Sequence, residues 1–273
     1  MARNAIGSIW SNGVLSWLAL SVIALPAYAQ LQPAPSAQTL EDPRIDVGGE
    51  NPVFPKRRIF VSYDWQNLQE GEYRNRVRLR MLQPFGPDAR YSWQIELPFE
   101  QLREADGNSV RGLSDIGTRI NWTFYRTPQL RQNLGLNVQW QTAHDSRLSD
   151  NATLLQPQYA FSYARSETFV VSGQLTYARS VDRDRGAPIV NRLAIEPSAT
   201  VLLPDSWSCT VATRLSWNFE RKKLAATVKG TFGFILGQRK EWELDAFVEH
   251  ALTDLARQTQ FENRIGIDLV RYF

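Results

Sequence analysis

The stretch YRNRVRLRM, residues 73–81, decides the fold class because two kinds of side chain alternate along it. Every second residue is an arginine: Arg74, Arg76, Arg78 and Arg80. The positions between them are mainly apolar, namely Tyr73, Val77, Leu79 and Met81. Successive side chains of a strand point to opposite faces of the sheet, so this period of two predicts a β-strand with one charged and one apolar face.

The same alternation extends to both sides of this stretch, over residues 57–273. We count about twelve such strands, joined by short turns on one side and by longer, charged connections on the other. The longer connections are 101–112, 144–151, 180–188 and 252–260. An even number of strands with this asymmetry is typical of outer-membrane barrels. The sequence therefore predicts an all-β fold, a transmembrane antiparallel up-and-down β-barrel.

A soluble β-sandwich would show a similar alternation, but three features favour the membrane barrel. Aromatic residues such as Trp93, Trp122 and Trp217 lie near the ends of predicted strands, where membrane interfaces place such rings. The polar face carries several charges per strand, as a wet lumen would. The chain also ends in an alternating strand whose last residue is Phe273, which resembles the signal that the outer-membrane assembly machinery recognises.

Composition excludes several other classes of protein. The chain has 273 residues, of which 22 % are charged, and a mean hydropathy of −0.36, so it is not a bundle of membrane helices. A single cysteine, Cys209, excludes an intramolecular disulfide, and two histidines disfavour a metal site. The 31 basic residues nearly balance the 28 acidic ones, which gives no strong field for nucleic acid. We expect no cofactor, no metal and no nucleic-acid partner.

The N-terminus predicts the compartment. Arg3, the apolar run 14–25 and the small-residue motif Ala27-Tyr28-Ala29 follow the order of a secretory signal peptide, residues 1–29, cleaved near Ala29. A single membrane-anchoring helix is the alternative. Residues 30–56 are rich in proline and glycine and predict a flexible or extended segment. We expect a barrel in the outer membrane of a Gram-negative bacterium, in contact with lipid, lipopolysaccharide and the assembly machinery.

Charged residues on the polar face are the candidate lumen lining. In-register hairpins would place Arg76 near Asp64 and near Glu96. These charges either pair and fill a narrow lumen or form a field across an open pore that orients solutes. The predicted lumen-lining residues are Arg74, Arg76, Arg78, Arg80, Asp64, Glu96, Arg119, Arg192, Glu196, Arg214, Glu243, Asp245, Glu249 and Asp268.

His144 and Ser146 are the one candidate catalytic pair. Their spacing on a predicted strand resembles the pair of outer-membrane phospholipase A, and the alternation continues from Trp140 to place both side chains outward. A catalytic base needs a group that orients it. The available amide, Gln158, falls on the lumen face, and the Asn-Gly that follows the serine in that enzyme is absent. We therefore predict an exposed polar loop, no catalytic residues and no enzyme activity, and keep a lipid hydrolase as an alternative function.

Several short motifs carry a family resemblance. In order, they are LQPFG at 82–86, WQIELPF at 93–99, GLSDI at 112–116, RLAIEP at 192–197 and LPDSW at 203–207. Their order and spacing resemble the outer-membrane transporter family named after the MetA pathway of phenol degradation. Ser114 departs from that family's pattern, which has a glycine there. The resemblance implies a channel or transporter for small molecules, including aromatic or hydrophobic compounds. A closed barrel that only displays loops is the remaining alternative.

Overall fold

The computed structural model describes Leu40, residues 42–45, Val53, and residues 56–237 and 239–273. The predicted signal peptide and most of the segment 30–56 lie outside the described residues. No helix in the part of the chain that is described is long and apolar enough to cross a membrane.

One antiparallel sheet contains all the strands of the described residues. They are β1 (Arg58–Asn67), β2 (Tyr73–Phe85), β3 (Tyr91–Arg103), β4 (Ser109–Leu113), β5 (Gly117–Arg126), β6 (Leu130–Gln139), β7 (Ala152–Ala164), β8 (Phe169–Arg183), β9 (Asn191–Leu202), β10 (Trp207–Asn218), β11 (Lys223–Leu236), β12 (Trp242–Ala251) and β13 (Asn263–Tyr272).

The sheet closes on itself. Strand β1 pairs with β2 on one side and with β13 on the other, where Arg58 faces Tyr272. Strands β4 and β5 both pair with β3 and are separated only by residues 114–116, so together they form one interrupted strand of the barrel. The barrel therefore has twelve strands, which confirms the predicted fold. Closure gives each of the twelve barrel strands a partner on both sides, the condition that lipid imposes on a spanning sheet, and among the described residues only the β4 portion, at the loop end, pairs on one side alone.

Burial alternates along the strands as the sequence predicts. On β1, Phe60, Ser62 and Asp64 are buried, whereas Val61 and Tyr63 are exposed on the outer surface. Large apolar side chains are exposed in the same way on the other strands, up to an exposed fraction of 62 % at Ile120. A continuous apolar surface of this extent is unusual on a protein surrounded by water. It matches the outward apolar band of a transmembrane barrel.

The two ends of the barrel differ. Short turns lie at one end, together with Arg58 and Phe273, and they contain residues 86–90, 127–129, 165–168, 203–206, 237 and 239–241. We call this the turn end. Longer connections lie at the other end, which we call the loop end. The connection predicted at 252–260 contains a short helix, α1 (Asp254–Thr259), whose Leu255 and Ala256 pack against Ala225 and Ala251.

One predicted pairing is wrong and one is confirmed. Asp64 faces Arg76 across the β1–β2 hairpin, as predicted. Glu96, however, faces Arg80, and the partner of Arg76 on β3 is Glu100. Strand β2 continues through Phe85, and the turn begins at Gly86, whose φ of 76° favours glycine. The hairpin is therefore centred two residues later than the Pro84–Asp88 turn assumed from the sequence, which shifts every β2–β3 pair.

Candidate functional site

The lumen is the candidate functional site, and the fourteen charged residues singled out in the sequence lie at inward positions of their strands. The arginines of β2 alternate with outward Val77 and Leu79, and the acids of β12 alternate with outward Leu244 and Val248. On β5, β9 and β10 the inward set includes Arg119, Arg192, Glu196 and Arg214.

Asp64 is the centre of an ion network that joins β1, β2 and β13. Its carboxylate is fully buried. Arg76 Nε and Arg264 Nη2 donate to Asp64 Oδ2 over 3.2 and 3.1 Å, and Arg78 Nη2 lies 3.9 Å from the same oxygen. Gln66 Nε2 donates to Oδ1 over 2.7 Å. One carboxylate thus neutralises part of the charge of three guanidinium groups in the wall.

Further acids pair with the same arginines from the neighbouring strands. Arg80 Nη2 lies 2.6 Å from Glu96 Oε2, and Arg74 Nε lies 3.4 Å from Glu100 Oε2. On the other side, Arg264 Nη1 donates to Glu249 Oε2 over 3.2 Å. On this wall of the barrel, the charges pair with one another.

Three acids near the turn end are sealed inside the wall. Glu243, Asp245 and Asp268 have no exposed surface. The Tyr272 hydroxyl donates to Glu243 Oε2. Asp245 and Asp268 are direct neighbours on β12 and β13. These acids are structural members of the barrel wall, because none of them lines either of the cavities described below.

The opposite wall, β5 to β10, carries mostly uncharged polar side chains. Gln158 Nε2 on β7 donates to Asn121 Oδ1 on β5 over 3.0 Å. This hydrogen bond passes over Gly135 of β6, the strand between them. A Cβ at Gly135 would overlap both side chains, so glycine is what permits this bond. Hydroxyl pairs such as Thr200 with Thr210, 2.8 Å apart, continue the polar wall.

Two cavities of about 290 Å³ each follow one another along the lumen. The inner cavity is lined by amides and hydroxyls of the polar wall together with Arg80, Arg119, Glu196, Arg214 and Lys229. The outer cavity lies towards the loop end and is lined by Arg74, Arg76, Glu100, Arg147, Asp150, Arg192, Arg214, Glu249 and Arg264, among others. Arg214 lines both cavities. Together the two linings contain nine basic and four acidic side chains.

Some of these lining residues were missed in the sequence. Lys229 and Arg264 share the inward parity of their strands and could have been found from it. Glu100 was not singled out because it directly precedes the predicted connection 101–112, whereas β3 extends to Arg103. Arg147 lies on a connection, where alternation gives no information about direction.

A short piece of the N-terminal segment fills the lumen at the turn end. Leu40 and Ile45 are buried in a cluster with Phe60, Val170 and Val270, among other barrel residues. Ile45 also lines the inner cavity, so this piece borders that cavity on the side of the turn end. We call residues 40 and 42–45 the N-terminal plug.

Polar contacts hold the N-terminal plug in place. Arg131 Nη1 donates to the Leu40 carbonyl over 2.6 Å, and Arg44 Nη1 donates to the Leu203 carbonyl over 2.7 Å. Asp42 pairs with Arg44 at 2.8 Å and lies 3.7 Å from Lys240. Burial alone would raise the pKa of Asp42, but the hydrogen bonds from Arg44 and the two positive charges outweigh it and leave the pKa below its usual value.

Asp115 anchors the connection between β6 and β7 at the loop end. It lies at the interruption between β4 and β5 and is buried. The backbone amides of Thr142 and Ala143 both donate to its Oδ1 over 3.1 Å, and Ser149 Oγ donates to its Oδ2 over 2.7 Å. This connection therefore lies against the barrel mouth, with Leu148 packed on Leu102 and Val110. It brings Arg147 to the outer cavity.

The structure does not support the candidate catalytic pair. Strand β6 ends at Gln139, so His144 and Ser146 lie on the connection rather than on a strand, and their predicted outward parity is wrong. Both residues are exposed, and no hydrogen bond joins them within the described residues. Asp145 instead bonds Arg147 at 2.8 Å, and its hydrogen bonds with Arg147 lower the pKa of Asp145 to about 2.

Phe273 lies at the turn end, on the outer surface. It is exposed, and its ring contacts the guanidinium of Arg271, which also lies 5.0 Å from the ring centre of Trp242. Arg271 interrupts the apolar alternation of β13, and these two rings cover its charge on the outer surface.

Solved structures with a similar fold include outer-membrane channels and porins. An outer membrane channel from Pseudomonas putida F1 aligns with a TM-score of 0.64 at 13 % identity, over 80 % of this chain and 96 % of that chain. The KdgM porin aligns with a TM-score of 0.56 at 8 % identity, over 79 % and 99 % of the two chains. The NanC porin aligns with a TM-score of 0.54 at 13 % identity, over 80 % and 99 %. At such identities the likeness establishes the fold.

The comparisons of sequence do not place the chain in a family. No protein-family model matches the chain, and no curated protein is similar to it in sequence. The resemblance to the MetA-pathway transporter family is therefore not confirmed.

Proposed function

We propose that this protein is an outer-membrane channel through which small polar solutes pass. The observation that carries this proposal is the pair of cavities that meet at Arg214 inside a closed barrel. Their lining of guanidinium, amide and hydroxyl groups can replace the hydration of a polar solute along the path. The channels and porins that share the fold support the same function.

The location follows from the surface and the N-terminus together. The apolar outer band fits lipid, and lipopolysaccharide would surround its loop end. In this proposal residues 1–29 are removed near Ala29, and the terminal strand with Phe273 is recognised by the outer-membrane assembly machinery. The turn end then faces the periplasm.

The solute class differs from the one that the family resemblance implies. Aromatic or hydrophobic compounds would gain little from a lumen lined by Gln156, Gln158, Gln174 and several arginines. Apolar solutes prefer pockets lined mainly by apolar side chains. We therefore favour polar solutes over hydrophobic ones.

A closed barrel is the competing function, and the N-terminal plug is the observation that favours it. Passage through the lumen requires the plug to leave the turn end. The plug and the channel are compatible if the docked state exchanges with an open one.

Liposome swelling with small solutes such as serine and arabinose tests the proposal. Ser198→Trp places an indole in the inner cavity and should slow swelling severalfold, because the narrow path has little free cross-section. Val211→Trp, on the outer surface of the neighbouring strand β10, is the matched control and should leave swelling unchanged. An absence of swelling, both in the parent and in a variant with a weakened plug, would support the closed barrel instead.

A further inference from the structure

The outer cavity contains an imbalance of charge that is confined to two strands. Its lining includes six arginines but only three acids. Arg74, Arg76 and Arg264 each lie within hydrogen-bonding or ion-pair distance of Glu100, Asp64 or Glu249. Arg147 is paired with Asp145 and Glu104. These four guanidinium groups are therefore compensated by the protein itself.

Arg192 and Arg214 are less closely paired with acids than these four arginines. Among the described residues, no carboxylate lies within 4 Å of the Arg192 guanidinium, and Arg214 has one long ion pair, with Nη1 3.9 Å from Glu196 Oε1. Both arginines are only partly buried, so their charged groups remain accessible from the lumen. Guanidinium groups that acids compensate only weakly attract anions more strongly in a narrow, partly desolvated site than on an exposed surface.

Their positions place both arginines along the path between the cavities. Arg192 lies opposite Asn218, near the loop end of β9, and Arg214 lies four residues before Asn218 on β10. The two α-carbons are therefore about 13 Å apart along the strand direction. The inward side chains between them, Ala194 and Ser216, are small and leave room for a ligand. A solute that enters from the loop end meets Arg192 first and then Arg214, which also lines the inner cavity.

We propose that Arg192 and Arg214 form a binding site for small carboxylate-bearing solutes. The guanidinium group suits this ligand because its donors match both oxygens of a carboxylate. A dicarboxylate of four carbons could reach from one arginine towards the other. This inference rests on the proposed channel function for its role in transport, but not for the binding itself.

Isothermal titration calorimetry of the purified barrel with succinate tests the site independently of conduction. We expect the parent to bind succinate but not the neutral succinamide. The double variant Arg192→Gln and Arg214→Gln should weaken binding about tenfold or more, since each lost bond is charge-assisted. Arg221→Gln, on an exposed connection at the loop end, is the matched control and should bind as the parent does.

Reversal potentials in a KCl gradient supply the second readout. The parent should prefer chloride to potassium, and the double variant should lose most of that preference. If the double variant does not fold, Arg192→Lys is measured in its place. It keeps the positive charge and should retain the preference for chloride. Equal binding of succinate and succinamide, or unchanged binding and selectivity in a folded double variant, would overturn the site. Succinate binding without any conductance would keep the site and overturn the channel.

Discussion

Weakening the N-terminal plug with the double substitution Leu40→Ser and Ile45→Ser is expected to raise the conductance of the barrel severalfold. Both side chains are almost fully buried at the turn end. Burial of one such side chain contributes about 1.5–3 kcal/mol, so losing both shifts the docking equilibrium by at least ~100-fold. Single-channel recording in planar bilayers would show longer open times, larger steps or both.

The barrel itself should tolerate this change, because the plug precedes β1 and contributes no strand to the sheet. Unchanged heat-modifiable migration in gel electrophoresis would verify that the barrel is folded. Ile189→Ser, at an exposed apolar residue on a loop-end connection, is the control for a similar loss of apolar surface. Unaltered conductance in a folded plug variant would mean that the N-terminal plug does not obstruct the path.

Replacing Asp64 by asparagine is expected to lower the free energy of unfolding by about 3–5 kcal/mol, the cost of breaking a buried ion pair from one side. Asparagine fills nearly the same volume but removes the charge on which Arg76, Arg78 and Arg264 converge. The three guanidinium groups would then repel one another across β1, β2 and β13. Equilibrium unfolding in urea, with the barrel in lipid vesicles, measures the difference.

Asp254→Asn is the matched control for Asp64→Asn. Asp254 also pairs with an arginine, Arg257 at 2.6 Å, but its side chain is 85 % exposed. Exposed pairs contribute roughly 0–1 kcal/mol, so this variant should unfold almost as the parent does. Equal effects of the two substitutions would show that the Asp64 network does not stabilise the barrel.

Sequence periodicity predicted the strands and their faces because lipid and lumen impose opposite requirements on alternate residues. The Asp64–Arg76 pair could also be predicted, since it depends only on a short hairpin. The Arg80–Glu96 pair could not, because the conformation of Gly86 and its turn sets that register.

Long-range packing accounts for what the sequence could not predict. Asp115 is buried because backbone amides of a distant connection donate to it, and no local sequence pattern predicts these contacts. The plug depends on contacts such as the one between Arg131 and Leu40, which are 91 residues apart. A proline-rich segment carries no periodicity that would predict such a contact. Arg192 and Arg214 fall on predicted lumen positions. Only the structure shows that, among the described residues, Arg192 has no carboxylate within 4 Å and Arg214 has a single long ion pair, with Glu196 at 3.9 Å.

Single-channel recording on the refolded parent barrel, in a KCl gradient, tests the central claim most directly. We predict discrete conductance steps whose reversal potential indicates a preference for anions, since basic side chains outnumber acidic ones along the lining. Folded barrel that inserts into the bilayer but passes no current, both as the parent and with the Leu40→Ser and Ile45→Ser plug, would contradict the account.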